Sequence, residues 1–168
     1  PFYQVYIPSI TAHIYTIYDF NITSFIVGNP GTTFLGIAAF IFANPEPSTV
    51  PFFCLRSATS AAYFYTTNQT ERDAARASGF TDFMTAGYIY PTQVCGTVPL
   101  YRLHFVAANA DYMYTTSAAE RDITVLNLRF IYEGVAGYVF DLLSCECFGS
   151  SSVPSFLTDV VGLGGTAS

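Results

Sequence analysis

The chain has 168 residues, of which 51% are hydrophobic, 17% aromatic and 11% charged. It is too apolar to be disordered, and long enough for one domain with a core or for a few small repeats that share one. Twelve acidic residues stand against six arginines and no lysine, a net charge of −6. With no basic stripe, nucleic acid and anionic membrane surfaces are not expected as partners. The longest apolar stretch, Phe34 to Ala43, is ten residues, against the ~20 that a bilayer-spanning helix needs, so no membrane span is expected.

Taken in chain order, the sequence repeats itself three times. Pro1-Phe-Tyr-Gln-Val5 returns as Val50-Pro-Phe-Phe-Cys-Leu55 and as Val98-Pro-Leu-Tyr-Arg-Leu103. A second block reads His13-Ile-Tyr-Thr16, Tyr63-Phe-Tyr-Thr-Thr67 and Tyr112-Met-Tyr-Thr-Thr116, so that Tyr15, Tyr65 and Tyr114 are 50 and 49 residues apart. Thr70-Glu-Arg-Asp73 and Ala119-Glu-Arg-Asp122 follow, and each unit closes on an aromatic strand at 39–42, 87–90 or 137–140. The aromatic blocks 52–56 and 63–67 predict strands. Short helices are predicted over 69–78 and 118–127, with Ser117-Ala-Ala-Glu120 as a capping box and Asn68-Gln-Thr-Glu71 its counterpart. Further strands are predicted at 80–84 and 129–132. The first unit lacks the Glu-Arg-Asp block and carries Asn29-Pro30-Gly31, so its helix is expected to be short, shifted or absent.

The expected architecture is mainly β with short helices: one domain over 1–168, with ββαββ repeats at 1–49, 50–97 and 98–152. Residues 153–168 form a C-terminal tail whose Val153-Pro-Ser-Phe156 could start a fourth unit. Units of about fifty residues cannot each bury an aromatic face, so they are expected to share a core about a pseudo-threefold axis. Twelve strands would match a β-trefoil; a three-unit solenoid is the rival arrangement.

The compartment is expected to be extracellular. The chain starts at Pro1, read as a mature end after signal-peptide removal, and it carries two sequons, Asn21-Ile-Thr23 and Asn68-Gln-Thr70. Four cysteines fit two disulfides of a secreted protein. Cys145 and Cys147 are too close in sequence to bridge without strain, so Cys54 and Cys95 are each expected to pair with one of them.

Catalytic constellations fare poorly. His104 has no nucleophile elbow to serve and is read as structural. Glu71, Asp73, Glu120 and Asp122 sit in capped first turns, where they complement the helix dipole and pair with Arg72 or Arg121. No phosphate loop is present. Two histidines and no Cys-x-x-Cys give no expected metal or cofactor. The chain is therefore expected not to be an enzyme.

The Tyr101-Arg-Leu103, Tyr114-Thr-Thr-Ser-Ala-Ala-Glu-Arg-Asp122 and Tyr132-Glu-Gly-Val-Ala-Gly-Tyr-Val-Phe140 blocks resemble a secreted repeat family of fungi and bacteria, the DUF5648 type, whose units read "LYRLYN…DHFYTTSAAERD…YEGIAGYVY". The likeness spans about residues 2–140, is best in the third unit and weakest in the first. In bacteria such repeats resemble accessory modules of secreted wall-acting enzymes, which implies binding. The family's Asp-His pair is broken up here: His13 stands in the first unit, Asp111 in the third, and Ala62-Tyr63 in the second.

Binding is thus the expected activity. The first reading is a lectin-like, carbohydrate-binding glycoprotein, with His13, Tyr63, Tyr112 and Asp111 as ligand residues. Tyr63 and Tyr112 are taken to face away from the core that Tyr15, Tyr65 and Tyr114 enter. The alternative is a non-catalytic small subunit on a larger secreted enzyme, since the chain resembles in size and kind the small glycosylated subunits of heterodimeric fungal laccases. A storage or defence protein without a specific ligand is the third reading.

Overall fold

The structure, a computed structural model, describes residues 1–106 and 110–141. Cys145, Cys147 and the tail lie outside these residues. Three units follow one another, each strand–strand–helix–strand: β1 (Phe2–Ile7), β2 (Ala12–Thr16), α1 (Asp19–Gly28) and β3 (Thr33–Ala39); β4 (Val50–Ser57), β5 (Tyr63–Thr66), α2 (Gln69–Ala77) and β6 (Phe80–Ile89); β7 (Val98–Phe105), β8 (Asp111–Thr115), α3 (Ala118–Leu128) and β9 (Ile131–Val139). Each unit makes one antiparallel three-stranded sheet, with orders β2-β1-β3, β5-β4-β6 and β8-β7-β9. The protein is mainly β, as expected.

The strand count is corrected. Residues 80–84 and 87–90, expected as two strands, belong to the single strand β6 and its continuation at Tyr90. Register shifts opposite Phe52/Phe53 and Cys54/Leu55 bend β6 without ending it. The third unit behaves alike along β7 and β9. Among the described residues there are nine strands in ββαβ units, so the twelve strands that suggested a trefoil are not met. The first helix is also corrected. α1 has ten residues, as many as its counterparts within one, because Asn29-Pro30-Gly31 follows its last turn and terminates it rather than interrupting it.

The starts of α2 and α3 share one device, whereas α1 has Tyr18 at its N-cap and no side-chain cap. Asn68 Oδ1 accepts from the amides of Thr70 and Glu71, and Ser117 Oγ from that of Glu120. The capping glutamates do not reach back to the cap's own amide, as a capping box would have it. Thr66 and Thr115 hydroxyls accept the cap amide and donate to Glu71 and Glu120. The threonines of the repeated Tyr-Thr therefore tie each helix to the strand before it.

The shared core is organised by the tyrosines of that same repeat. Tyr15, Tyr65 and Tyr114 are 1%, 1% and 0% exposed, with ring centroids 5.4–5.6 Å apart and planes 79–85° from one another. This is the edge-to-face geometry that ring quadrupoles favour. Each phenol bonds the backbone of the next tyrosine twice. Tyr65 OH accepts from the Tyr15 amide and donates to the Tyr15 carbonyl, both at 2.9 Å. Tyr114 does the same to Tyr65 at 2.8 Å, and Tyr15 to Tyr114 at 2.8 and 3.1 Å. Phe2 and Phe52 pack against this ring.

A second ring lies where the units end. Backbone bridges join Phe40 to Phe140, Phe42 to Tyr88 and Tyr90 to Tyr138, and the rings of Phe42, Tyr90 and Phe140 meet edge to face at 5.8–6.2 Å. Approach is close: a Cβ on Gly137 would lie 2.5 Å from Ile89 Cδ1 and 3.0 Å from the Tyr90 carbonyl. The first unit thus contacts the third as well as the second, which closes the array and excludes an open solenoid.

Two outcomes are expected. Tyr65→Phe leaves a buried amide and carbonyl without partners and should destabilise by about 2–4 kcal/mol in denaturant melts; Phe64→Tyr, outside the ring, does not rescue it. Burial also raises the pKa of Tyr15, Tyr65 and Tyr114 well above 10. Because the folded value is the higher one, their contribution is present below the unfolded value near 10 and is lost as pH rises past it. A phenolate absorbance titration should show these three of the thirteen tyrosines ionising only together with unfolding.

Candidate functional site

The four expected ligand residues do not form four open sites. His13 and Asp111, 98 residues apart, come together where the first unit meets the third. Asp111, 1% exposed, accepts from the His13 amide at 2.8 Å, and its other oxygen lies 2.6 Å from His13 Nδ1. Tyr6 lies against the His13 ring at 4.7 Å. The pair that looked broken in sequence is whole in space, since an aspartate of one unit meets the histidine of the next unit round the ring. The corresponding positions at the other two seams are Ala12 with Tyr63 and Ala62 with Tyr112, so both partners differ together.

Tyr63 and Tyr112 are corrected as outward-facing residues. They stand two positions before Tyr65 and Tyr114, which in a strand means the same face. Tyr63 is 6% exposed and meets Phe83 edge to face. Tyr112 stacks on His104 at 4.2 Å and 8°, and on its other contact meets Phe64 of the second unit. Burial, with the Glu133 charge, pushes the Tyr112 phenol up to about 12.

Beside it runs a charged seam. Arg102 reaches from β7 to the second unit, where two of its nitrogens lie 2.9 Å from the two Glu71 oxygens. Its Nε lies 2.8 Å from Glu133 in an ion pair that is not aligned as a hydrogen bond. The Arg102 fork holds the Glu71 carboxyl below the usual carboxylate value, against the opposing effect of burial. Arg72 pairs with Asp82 over the Phe53 ring, and Arg121 with Asp122 over Tyr101. These carboxylates are held by arginines. His104 bonds Glu133 at 3.0 Å.

Cys54 is 1% exposed, on the core side of β4 beside Tyr65, and the expected bridging partners Cys145 and Cys147 lie outside the described residues. Burial pushes its thiol up to about 12. Cys95 is exposed, in the connection before β7. Among the described residues no cluster of His, Cys, Asp and Glu could hold a metal ion, and no helix is long and apolar enough to cross a membrane.

The feature that sequence reading missed lies on the outside. On α1, Phe20 is 63%, Ile26 44% and Val27 78% exposed; on β3, Phe34, Leu35 and Ile37 are 37–49% exposed. On α3, Leu126 is 80% exposed, with Ile123, Val125 and Leu128 also open. The same positions of the second unit hold Thr70, Arg76 and Ala77 on α2, and Asp82, Phe83 and Thr85 on β6, of which only Phe83, 46% exposed, is a large apolar residue. Except at the Leu35 position, the fold therefore does not require apolar residues there. The two apolar surfaces flank one seam, where the Thr116 hydroxyl just before α3 donates to the Ala38 carbonyl on β3 at 3.5 Å. Aligning the three helices position by position would have exposed this contrast; a reading confined to catalytic and ligand motifs could not.

A family model described as a domain of unknown function (DUF5648) matches residues 1–140. No curated protein and no solved structure matches the chain.

Two further outcomes are expected here. Cys54 should stay unreactive toward a thiol reagent in the native protein and react on unfolding. Asp111→Ala should destabilise by about 1–3 kcal/mol through the unpaired His13 groups, and adding His13→Tyr, which rebuilds the Ala–Tyr combination of the other seams, should recover most of the loss in a double-mutant cycle.

Proposed function

The chain thus belongs to the DUF5648 family, and on that premise we propose that it is a secreted, non-catalytic accessory protein that seats on a larger secreted enzyme through the outer faces of its first and third units. The observation that carries this reading is the contrast at matched positions. Val27 and Leu126 are 78% and 80% exposed, whereas their counterpart in the second unit is Ala77 among charged neighbours. Exposed apolar patches of this kind mark surfaces that a partner covers. A laccase large subunit is one such enzyme. We read the closed ring as pseudo-threefold and trefoil-like in plan, a rigid frame for that surface.

Native mass spectrometry of protein purified gently from its source tests the reading. A stoichiometric complex with a larger polypeptide supports it, and a lone chain counts against it. With the complex in hand, Val27→Glu and Leu126→Glu should weaken binding at least tenfold with the melting temperature unchanged, while Ala77→Glu has no effect.

One observation favours carbohydrate as a second reading, at a place other than the four expected residues. A groove of about 350 Å³ is lined by Ile17, Tyr18, Phe42, Asn44 and Glu46 among others. Tyr18 is 46% exposed, and an open aromatic face beside an amide and a carboxylate suits a sugar ring. Tyr18→Ala should then abolish retention on a glycan array, and a blank array with the wild type removes the reading.

A further inference from the structure

Of the two sequons, the folded chain treats one as surface and the other as an internal tie. Asn68 is exposed and caps α2. Its Oδ1 does the capping, accepting from Thr70 at 2.8 Å and Glu71 at 3.2 Å, so its Nδ2 is the end of the amide that the cap does not use. Asn21 occupies the position that Glu71 and Glu120 hold in the other units. Like them it turns onto the threonine of the preceding strand: Asn21 Nδ2 donates to Thr16 Oγ1 at 3.1 Å, and Thr16 is 3% exposed. The same inward placement recurs in all three units, from Asn21 to Thr16, from Glu71 to Thr66 and from Glu120 to Thr115. A sugar on Asn21 Nδ2 replaces one of its two hydrogens and has to be fitted beside buried Thr16 in the first turn of α1, whereas one on Asn68 Nδ2 leaves its cap intact.

We propose that Asn68 carries an N-linked oligosaccharide and Asn21 carries none. The inference rests on passage of the chain through a secretory pathway, as in the function proposed above. The Asn68 amide nitrogen attacks the anomeric carbon of a lipid-pyrophosphate-linked oligosaccharide. A carbon–nitrogen bond forms, the carbon–oxygen bond to the pyrophosphate breaks with its electron pair leaving on the lipid pyrophosphate, and the nitrogen loses one proton. In the glycosylated chain Oδ1 remains an acceptor for both amides that it caps. The glycan then stands at the start of α2, the helix without large exposed apolar residues, and leaves the apolar residues of α1, β3 and α3 uncovered.

Expression through a yeast secretory pathway behind a host leader tests the site without relying on the natural compartment. Intact-mass measurement should show a chain bearing one glycan, which peptide N-glycosidase returns to the polypeptide mass with Asn68 converted to aspartate. Asn68→Asp keeps a capping oxygen, so that variant should fold, melt within a few degrees of the wild type and carry no glycan; Asn21→Gln should leave the single glycan in place. Two glycans on the wild type, a glycan that survives Asn68→Asp, or a secreted wild type with none would each overturn the proposal. The natural protein, probed separately, decides whether the secretion reading fails: its absence from the extracellular fraction would overturn that reading while the yeast result still judges the site.

Discussion

Three strand edges face one another at the centre of this protein, and their backbone amides and carbonyls have no strand to pair with. β2, β5 and β8 each lie at the edge of their sheet. An edge left so in a dry core would strand polar groups at a cost of roughly 1–3 kcal/mol each. The phenols of Tyr15, Tyr65 and Tyr114 solve this, each supplying one donor and one acceptor to the neighbouring edge. A phenylalanine there could fill the space but not satisfy the backbone. Everything else follows from that ring: three sheets held at fixed spacing, a common core, and seams at which residues of different units must meet.

The seams are where the units have diverged. One carries His13 and Asp111, another the Arg102–Glu71 fork with Tyr112 on Phe64, and the position that holds Arg102 in the third unit holds Gln4 and Cys54 in the others. Buried Cys54 and buried Arg102 occupy matched sites because each neighbourhood is completed by a different unit. A polar pair at one seam and an apolar pair at another also favours one order of closure, as buried polar groups do where they specify register. The outer faces diverge by a different rule. There the second unit does without most of the apolar residues that α1, β3 and α3 expose, so that surface is not what holds the chain together.

Much of the fold was legible in the residues. The 50- and 49-residue spacing of the Tyr-Thr pairs, the caps at Asn68 and Ser117, and helices close to 69–78 and 118–127 are local signals, and the structure has them. Errors arose where a local signal was ambiguous. A bulge in β6 reads as a strand break because a register shift leaves no distinct residue signature. Asn29-Pro30-Gly31 reads equally as a helix breaker or a helix terminator, and only the length of α1 decides. Tyr63 and Tyr112 were misplaced on a parity of one residue, which in a strand reverses the face.

The sequence by itself determined the repeat, the mainly β composition, the helix caps and the residues available for the core, since these depend on propensity and period along the chain. Tertiary structure decided which residues meet. His13 with Asp111, Arg102 with Glu71 and each phenol with another unit's backbone are contacts between residues 31 to 99 positions apart. No periodicity encodes a partner across a seam, because the partner is fixed only when the ring closes. Exposure was decided at the same moment: Phe20, Leu35 and Leu126 resemble core residues in the chain, and only the packed ring leaves them on the outside.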